Sequence, residues 1–218
     1  MKLESIKRHV REHGLLATCH AAAYKFANRL FPYMIMKCVW ITSDDLRQSS
    51  LESTFGYSGR FLEPRELGEF SSRSEYGISK VFLPSALEKG DECYGILDGG
   101  TLACFGWYSR KPTAINDDLT LHFDPAYVYM YFGYTHPNYR GKRLHALGMA
   151  LALQEFTRRG CKGMVSYVES INYASLKSCY RMGYKNFGAI HTLKLFGRYW
   201  ILHSSGCRQL QFCLVPRA

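Results

Sequence analysis

Apolar residues recur along the chain with two different periods, and the changes between them mark its elements. Residues 4–30 follow a helical period, with Ile6, Val10 and His13 on one face, then the Ala/Leu-rich LLATCHAAAYKFANRLF and a break near Gly14. Pro32 ends that helix, and YMIMKCVWI (33–41) reads as a strand. Residues 43–90 are polar and punctuated, with short helices expected at 43–52, 64–70 and 83–89. ECYGILD and TLACFGWYS, joined by Gly99-Gly100, form a hairpin pattern, and KPTAINDD is a loop. AYVYMYFGYT (126–135) alternates Tyr127, Tyr129 and Tyr131 with Val128, Met130 and Phe132, the period of a strand. Leu144, Leu147, Gly148 and Leu151 return to helical spacing as far as Arg159-Gly160. MVSYVES is then a strand, NYASLKSCYRMG a helix stopped at Gly183, and the remainder a two-stranded hairpin around Phe196-Gly197-Arg198. This is a mixed α/β pattern, with a helical extension over 1–32 expected to pack on one domain spanning 33–218.

Composition narrows the partners without choosing one. With 47% hydrophobic and 21% charged residues the chain can bury a core, and its net charge of +10 suits an anionic partner. Such a partner could be a phosphorylated ligand, an acidic carrier protein, a membrane surface or nucleic acid. No helix-turn-helix, RNA-binding sheet motif or polybasic tail emerges, so nucleic acid is not expected. The basic residues of the N-terminal helix allow peripheral membrane contact, but packing on its own domain is the favoured reading. Eight cysteines show no CxxC pair or metal-ligand spacing and predict free thiols with no metal. MKLESIKRHVREH lacks the apolar core of a secretory leader, which predicts a cytoplasmic protein.

HPNYRGKRLHALG (136–148) holds the strongest chemical signal. Arg140, Lys142, Arg143 and His145 surround Gly141 where a helix begins, although a helix N-terminus already carries partial positive charge. A strand–turn–helix junction of this kind can hold a phosphate on free backbone N–H groups, with the side chains adding charge-assisted contacts. The alternative is a solvated basic turn. The stretch is neither GxxxxGK[ST] nor GxGxxG. Gly133, inside the aromatic strand, marks a bulge or a close backbone approach.

The combination of HPNYRGKRLHALGMALAL with the later NYASLKSCYRMGY resembles the GNAT superfamily of acyl-CoA-dependent N-acyltransferases. Pro137, Tyr139, Arg140, Gly141 and Lys142 match the approach to that family's pyrophosphate loop, and Asn172, Ser175, Gly183 and Tyr184 match its later NxxSxxxxxxxG[FY] segment. The resemblance covers roughly residues 91–200. It implies a central, mostly antiparallel sheet whose fourth and fifth strands splay apart around the thioester of acetyl-CoA or another acyl-CoA. It further implies backbone contacts from Tyr134 and Thr135, phosphate contacts from Arg140, Gly141, Lys142, Arg143, Leu144 and His145, and a cofactor-arm contact from Asn172.

Two features depart from the family pattern, the loop and the acid. Arg143 and His145 stand where glycine or alanine is usual, so the loop either gains a cation for the phosphates or is crowded against coenzyme A. Acyl carrier protein or aminoacyl-tRNA are the alternative donors. The family's acid tyrosine falls at position 179, which is Cys179 here, with Tyr180 rotated about 100° away on a helix. Either could serve as acid. Glu169, at the end of its strand, is either the best-placed general base or a capping or surface salt-bridge residue, with His136, His122 and Asp124 as lesser candidates for the base. An acyl-cysteine route through Cys179 is less favoured because no histidine adjoins it in sequence. The expected reaction is direct attack by an amine of a small polar acceptor. Tyr127, Tyr129 and Tyr131 form either an acceptor wall or a covered sheet face. The rival readings are a non-catalytic ligand-binding member of the fold and a basic binding module.

Overall fold

The computed structural model describes residues 3–47 and 57–217. Helices α1 (Leu3–His13) and α2 (Leu15–Leu30) part at Gly14 and lead into β1 (Tyr33–Ile41). Strand β2 (Ser58–Phe61) precedes α3 (Pro64–Ser71) and α4 (Phe82–Lys89). The glycine-turned hairpin is β3 (Glu92–Asp98) and β4 (Thr101–Ser109). After β5 (Thr113–Ala114) and β6 (Leu119–His122) come β7 (Tyr127–Thr135), α5 (Leu144–Arg158), β8 (Gly163–Glu169) and α6 (Tyr173–Met182). The chain closes with β9 (Lys185–Leu195), β10 (Arg198–His203), α7 (Ser205–Gln209) and β11 (Cys213–Pro216).

Eight strands form one sheet in the order β10-β9-β1-β8-β7-β4-β3-β2. Every neighbouring pair is antiparallel except β7 and β8. Helix α5 covers one face: Leu144, Leu147, Leu153 and Phe156 join Ile96, Cys104, Val128 and Met164 in a continuous apolar cluster. Burial of such side chains is the main favourable term in holding the layers together.

The other face carries a layer that the local pattern does not announce. β11, β6 and β5 form a second, three-stranded sheet, and the loop expected over 111–118 contributes β5 to it. Leu119, Leu121, Phe212 and Leu214 pack there against Met36, Tyr127 and Tyr129. The C-terminal segment, expected to end with the β9–β10 hairpin, instead returns through α7 to pair β11 with β6. The helix expected over 43–52 reduces to a 3-10 turn at Ser43–Asp45, capped at its start where the Asp45 carboxylate accepts from the Thr42 hydroxyl and ended where Leu46 turns to extended backbone; residues 48–52 lie outside the described residues.

Gly183 ends α6 with φ 113°, and a Cβ there would lie 2.0 Å from the carbonyl oxygen of Asp45. Neither strain can relax without moving the backbone of the turn after β1. Gly183→Ala should therefore cost about 2 kcal/mol or more, read as a lower urea midpoint at unchanged slope.

Candidate active site

The central opening begins where β7 and β8 part. They pair in parallel over only three positions, Tyr127–Gly163, Val128–Met164 and Tyr129–Val165. At the point of divergence the Ser166 hydroxyl donates to the Met130 carbonyl at 2.8 Å. Opposite β4, Tyr108 faces Met130 and Trp107 faces Phe132, so Tyr131 is an extra residue without a partner. The bulge thus lies at Tyr131, two residues before Gly133, which pairs regularly with Gly106. Glycine at 133 answers the other expectation, a close approach: a Cβ would sit 2.4 Å from Cε1 of His145. The gap between the strands is a cleft of about 770 Å³ whose walls include Gly133, Thr135, Arg140, His145, Glu169, Asn172 and Cys179.

The basic turn sits at the mouth of this cleft. His136 accepts from the Asn138 N–H at 3.4 Å and caps a 3-10 turn over Pro137–Tyr139, so its ring closes the turn. Arg140 Nε donates to the Thr135 carbonyl at 3.4 Å, and the Lys142 ammonium lies 4.9 Å from the Tyr139 ring centroid. Arg143 occupies the N-cap of α5 in the left-handed region, φ 60° and ψ 14°, and makes no side-chain cap. The first turn of α5 holds no acidic residue. Its leading N–H groups and dipole therefore lack an internal anion. Leu144 is buried in the core, which leaves only its backbone for the turn.

A second cleft of about 710 Å³ adjoins the first across His145, Ala174, Ser178 and Met182. Arg47, Arg143, Lys177 and Arg181 line it, and none of the four forms an ion pair among the described residues. Sequence reasoning missed Arg47, Lys177 and Arg181. The spacing of Lys177 and Arg181, four apart on a helix, was an available signal. Arg47 had none, since it arrives through a backbone bond from its N–H to the Met182 carbonyl.

Glu169 lines the first cleft, and the Tyr24 hydroxyl of α2 donates to its Oε1 at 2.7 Å. Burial, and then the neighbouring carboxylate, push the Tyr24 phenol well above its ordinary value, so it remains a donor. Cys179 faces the same cleft, and burial pushes its thiol up to about 11, keeping it protonated. Tyr180 points elsewhere, into a shallow surface beside Tyr173 and Leu176. Asn172 caps α6 by accepting from the Ser175 N–H at 3.2 Å, and it also borders the cleft. The Tyr134 side chain turns away, stacking on Phe105 and donating to the Glu75 carbonyl. Tyr127 and Tyr129 are covered by the second sheet, and the Tyr131 hydroxyl is held by Asp91 at 2.7 Å. That face is packing, with no hydroxyl wall at Tyr127 or Tyr129. His122 lies on β6, exposed and opposite Cys213, and Asp124 receives the Ala126 N–H in the turn before β7.

The model of the acetyltransferase (GNAT) family matches residues 58–184, more than half of the chain. The chain belongs to the GNAT family. Among solved structures it is similar to a Drosophila protein at 17% identity and TM-score 0.51, with 84% of this chain and 58% of that one covered. It is also similar to a tandem GNAT protein from the clavulanic acid biosynthesis pathway, at 14% identity and TM-score 0.52, covering 78% and 53%. A GNAT-family acetyltransferase from Colwellia psychrerythraea matches at 13% identity and TM-score 0.50, covering 74% and 55%. At these identities the likeness is one of fold, and the chain spans little more than half the length of these structures. No curated protein matches the sequence significantly.

The left-handed N-cap carries a backbone cost: an L side chain there costs about 1–2 kcal/mol. Arg143→Gly should therefore leave stability unchanged or raise it by up to about 1 kcal/mol, because glycine's greater unfolded-state freedom offsets part of the gain. Arg143→Ile should lower it, and urea unfolding of the pair checks both signs.

Burial depresses the pKa of His145, and burial with nearby Arg208 depresses that of His203. The unfolded chain then binds protons before the folded one, so stability should fall as pH drops below about 6.5. Urea unfolding between neutral and mildly acidic pH should show a decline that His145→Gln makes shallower.

Proposed function

We propose that the chain is an acyl-CoA-dependent N-acetyltransferase acting on an amine of a small polar acceptor. The observation that carries this reading is the start of α5. Its uncapped, acid-free N-terminus opens beside Arg140 and Arg143 onto two adjoining clefts, one basic and one between diverging strands. The residues fit an elongated ligand with anionic and amide-bearing parts. The phosphates would be held by the α5 N–H groups and Arg143, with Arg47, Lys177 and Arg181 in the basic cleft. The free edge of β7 from Tyr131 to Thr135 would take the amide-bearing arm, with Asn172 across the cleft. When bound, acyl-CoA supplies the activated acyl thioester.

The chain's own residues would then position and deprotonate the amine. Glu169 is the proposed base, since a carboxylate at the cleft wall can take the amine's proton directly or through a water. Tyr24 orients that carboxylate. The backbone freed at the Tyr131 bulge offers a donor towards the carbonyl oxygen. Cys179, protonated and facing the cleft, is the proposed proton source for the departing thiolate. Tyr180, on the far side of α6, is left out of this assignment.

Calorimetric titration with acetyl-CoA and with adenosine 3′,5′-bisphosphate tests the donor site. Micromolar binding of both should weaken by roughly 1–3 kcal/mol in the Lys177→Ala/Arg181→Ala variant. Absence of binding by either ligand would sink the donor assignment. In an amine panel Glu169→Gln should keep acetyl-CoA affinity and lose about 10²–10⁴-fold in turnover. Unchanged turnover would remove Glu169 from the reaction.

A further inference from the structure

Helix α2 is apolar on two opposite sides. Thr18, Ala21 and Tyr24 are buried against the protein. On the other side Leu15, Cys19, Ala22, Phe26 and Leu30 are exposed, at intervals of four, three, four and four residues. At 100° per residue they share an arc of about 80°. Leu15, Phe26 and Leu30 keep 66%, 64% and 60% of their surface accessible. A stripe of this kind normally faces a core. Here nothing among the described residues covers it.

The sheet face on which α2 packs carries further exposed apolar side chains. Tyr24 of α2 meets Tyr33 at 5.8 Å between ring centroids, and Tyr33 bonds His191 at 3.1 Å. Register places Trp200 beside Leu193 and Leu202 beside His191 on the edge strand β10. Trp200 and Leu202 are 66% and 72% exposed.

Charge identifies the occupant. α2 contains no Asp or Glu, and exposed Lys25 and Arg29 border its stripe, with exposed Lys7 and Arg11 on α1 nearby in the chain. None of these four forms an ion pair among the described residues. A second copy packed on the stripe would bring like charges together. An anionic lipid surface satisfies both features at once: the stripe enters the headgroup–acyl boundary, the cations meet anionic headgroups, and tryptophan suits that depth. No described helix is long and apolar enough to cross a membrane, which fits a helix lying in the plane. We propose that the outer face of α2, extended by Trp200 and Leu202, docks the protein on an anionic membrane surface.

Flotation with phosphatidylcholine vesicles, with and without phosphatidylglycerol, tests this on the full chain. The wild type should float with anionic vesicles at low salt and release as salt rises. Phe26→Glu/Leu30→Glu should weaken partitioning roughly tenfold or more. Lys25→Glu/Arg29→Glu should reduce the preference for phosphatidylglycerol by roughly fivefold per charge removed. All four side chains are exposed, so an unchanged thermal midpoint confirms that the variants fold. Failure of the wild type to float at low salt, or flotation unaffected by Phe26→Glu/Leu30→Glu, overturns the proposal. So does a dimer by light scattering that this variant dissolves, since the stripe would then belong to a second copy. Capture of an acidic protein through the stripe, without vesicle binding, overturns it equally.

Discussion

The separation of β7 from β8 is the constraint around which the rest of the molecule is arranged. A sheet cannot open in its middle without leaving backbone N–H and C=O groups unpaired, and such groups are costly away from water. The chain meets that cost in part with its own side chains. Ser166 donates to the Met130 carbonyl at the fork, and Asp91 separately fixes the side chain of the bulged Tyr131. Beyond the fork the free edge of β7 lines the cleft. Both flanks are fixed so that the opening keeps its shape: α5 packs on one face, and the second sheet seals the other against Tyr127 and Tyr129.

The start of α5 uses the same geometry for charge. The uncapped first turn leaves its N–H groups without an internal partner, and Arg143 accepts the backbone strain of the left-handed N-cap in exchange for a cation in the basic cleft. His145 stands at the junction of the two clefts, its ring filling the space that Gly133 leaves open. The two loop residues therefore have different consequences. Arg143 adds charge at a conformational cost, whereas His145 lines both clefts and fills the space beside Gly133.

The N-terminal helices, which precede the residues matched by the family model, reach the centre of the candidate site. Tyr24 holds Glu169, and Tyr173 at the start of α6 donates to the Ala17 carbonyl while contacting the rings of His9, His13 and His20. Glu12 and His13 complete one side of the basic cleft. The extension therefore forms part of the wall of the basic cleft and holds a carboxylate that lines the other, and its outer face carries the proposed membrane contact.

Local order was legible in the sequence wherever a residue's role depends on near neighbours. The periods of β1, β7, α5 and α6 followed from alternation and helical spacing, and the breaks at Gly14, Gly99-Gly100 and Gly183 from backbone chemistry. The basic turn and the Asn172–Gly183 segment pointed to the family because both depend on contiguous residues at a strand–helix junction. Pairing over long sequence separation was not legible. β11 joins β6 because Phe212 and Leu214 complete a core under Tyr129, and no local period encodes that. Arg181 lines a cleft with Arg47, and Tyr180 turns from the cleft that Cys179 faces, because α6 docks at one rotation; Tyr24 meets Glu169 because α2 packs over the end of β8. The sequence alone determined which segments could carry the chemistry. Tertiary packing decided which side chains meet, because helix rotation and sheet register are set by the whole core at once.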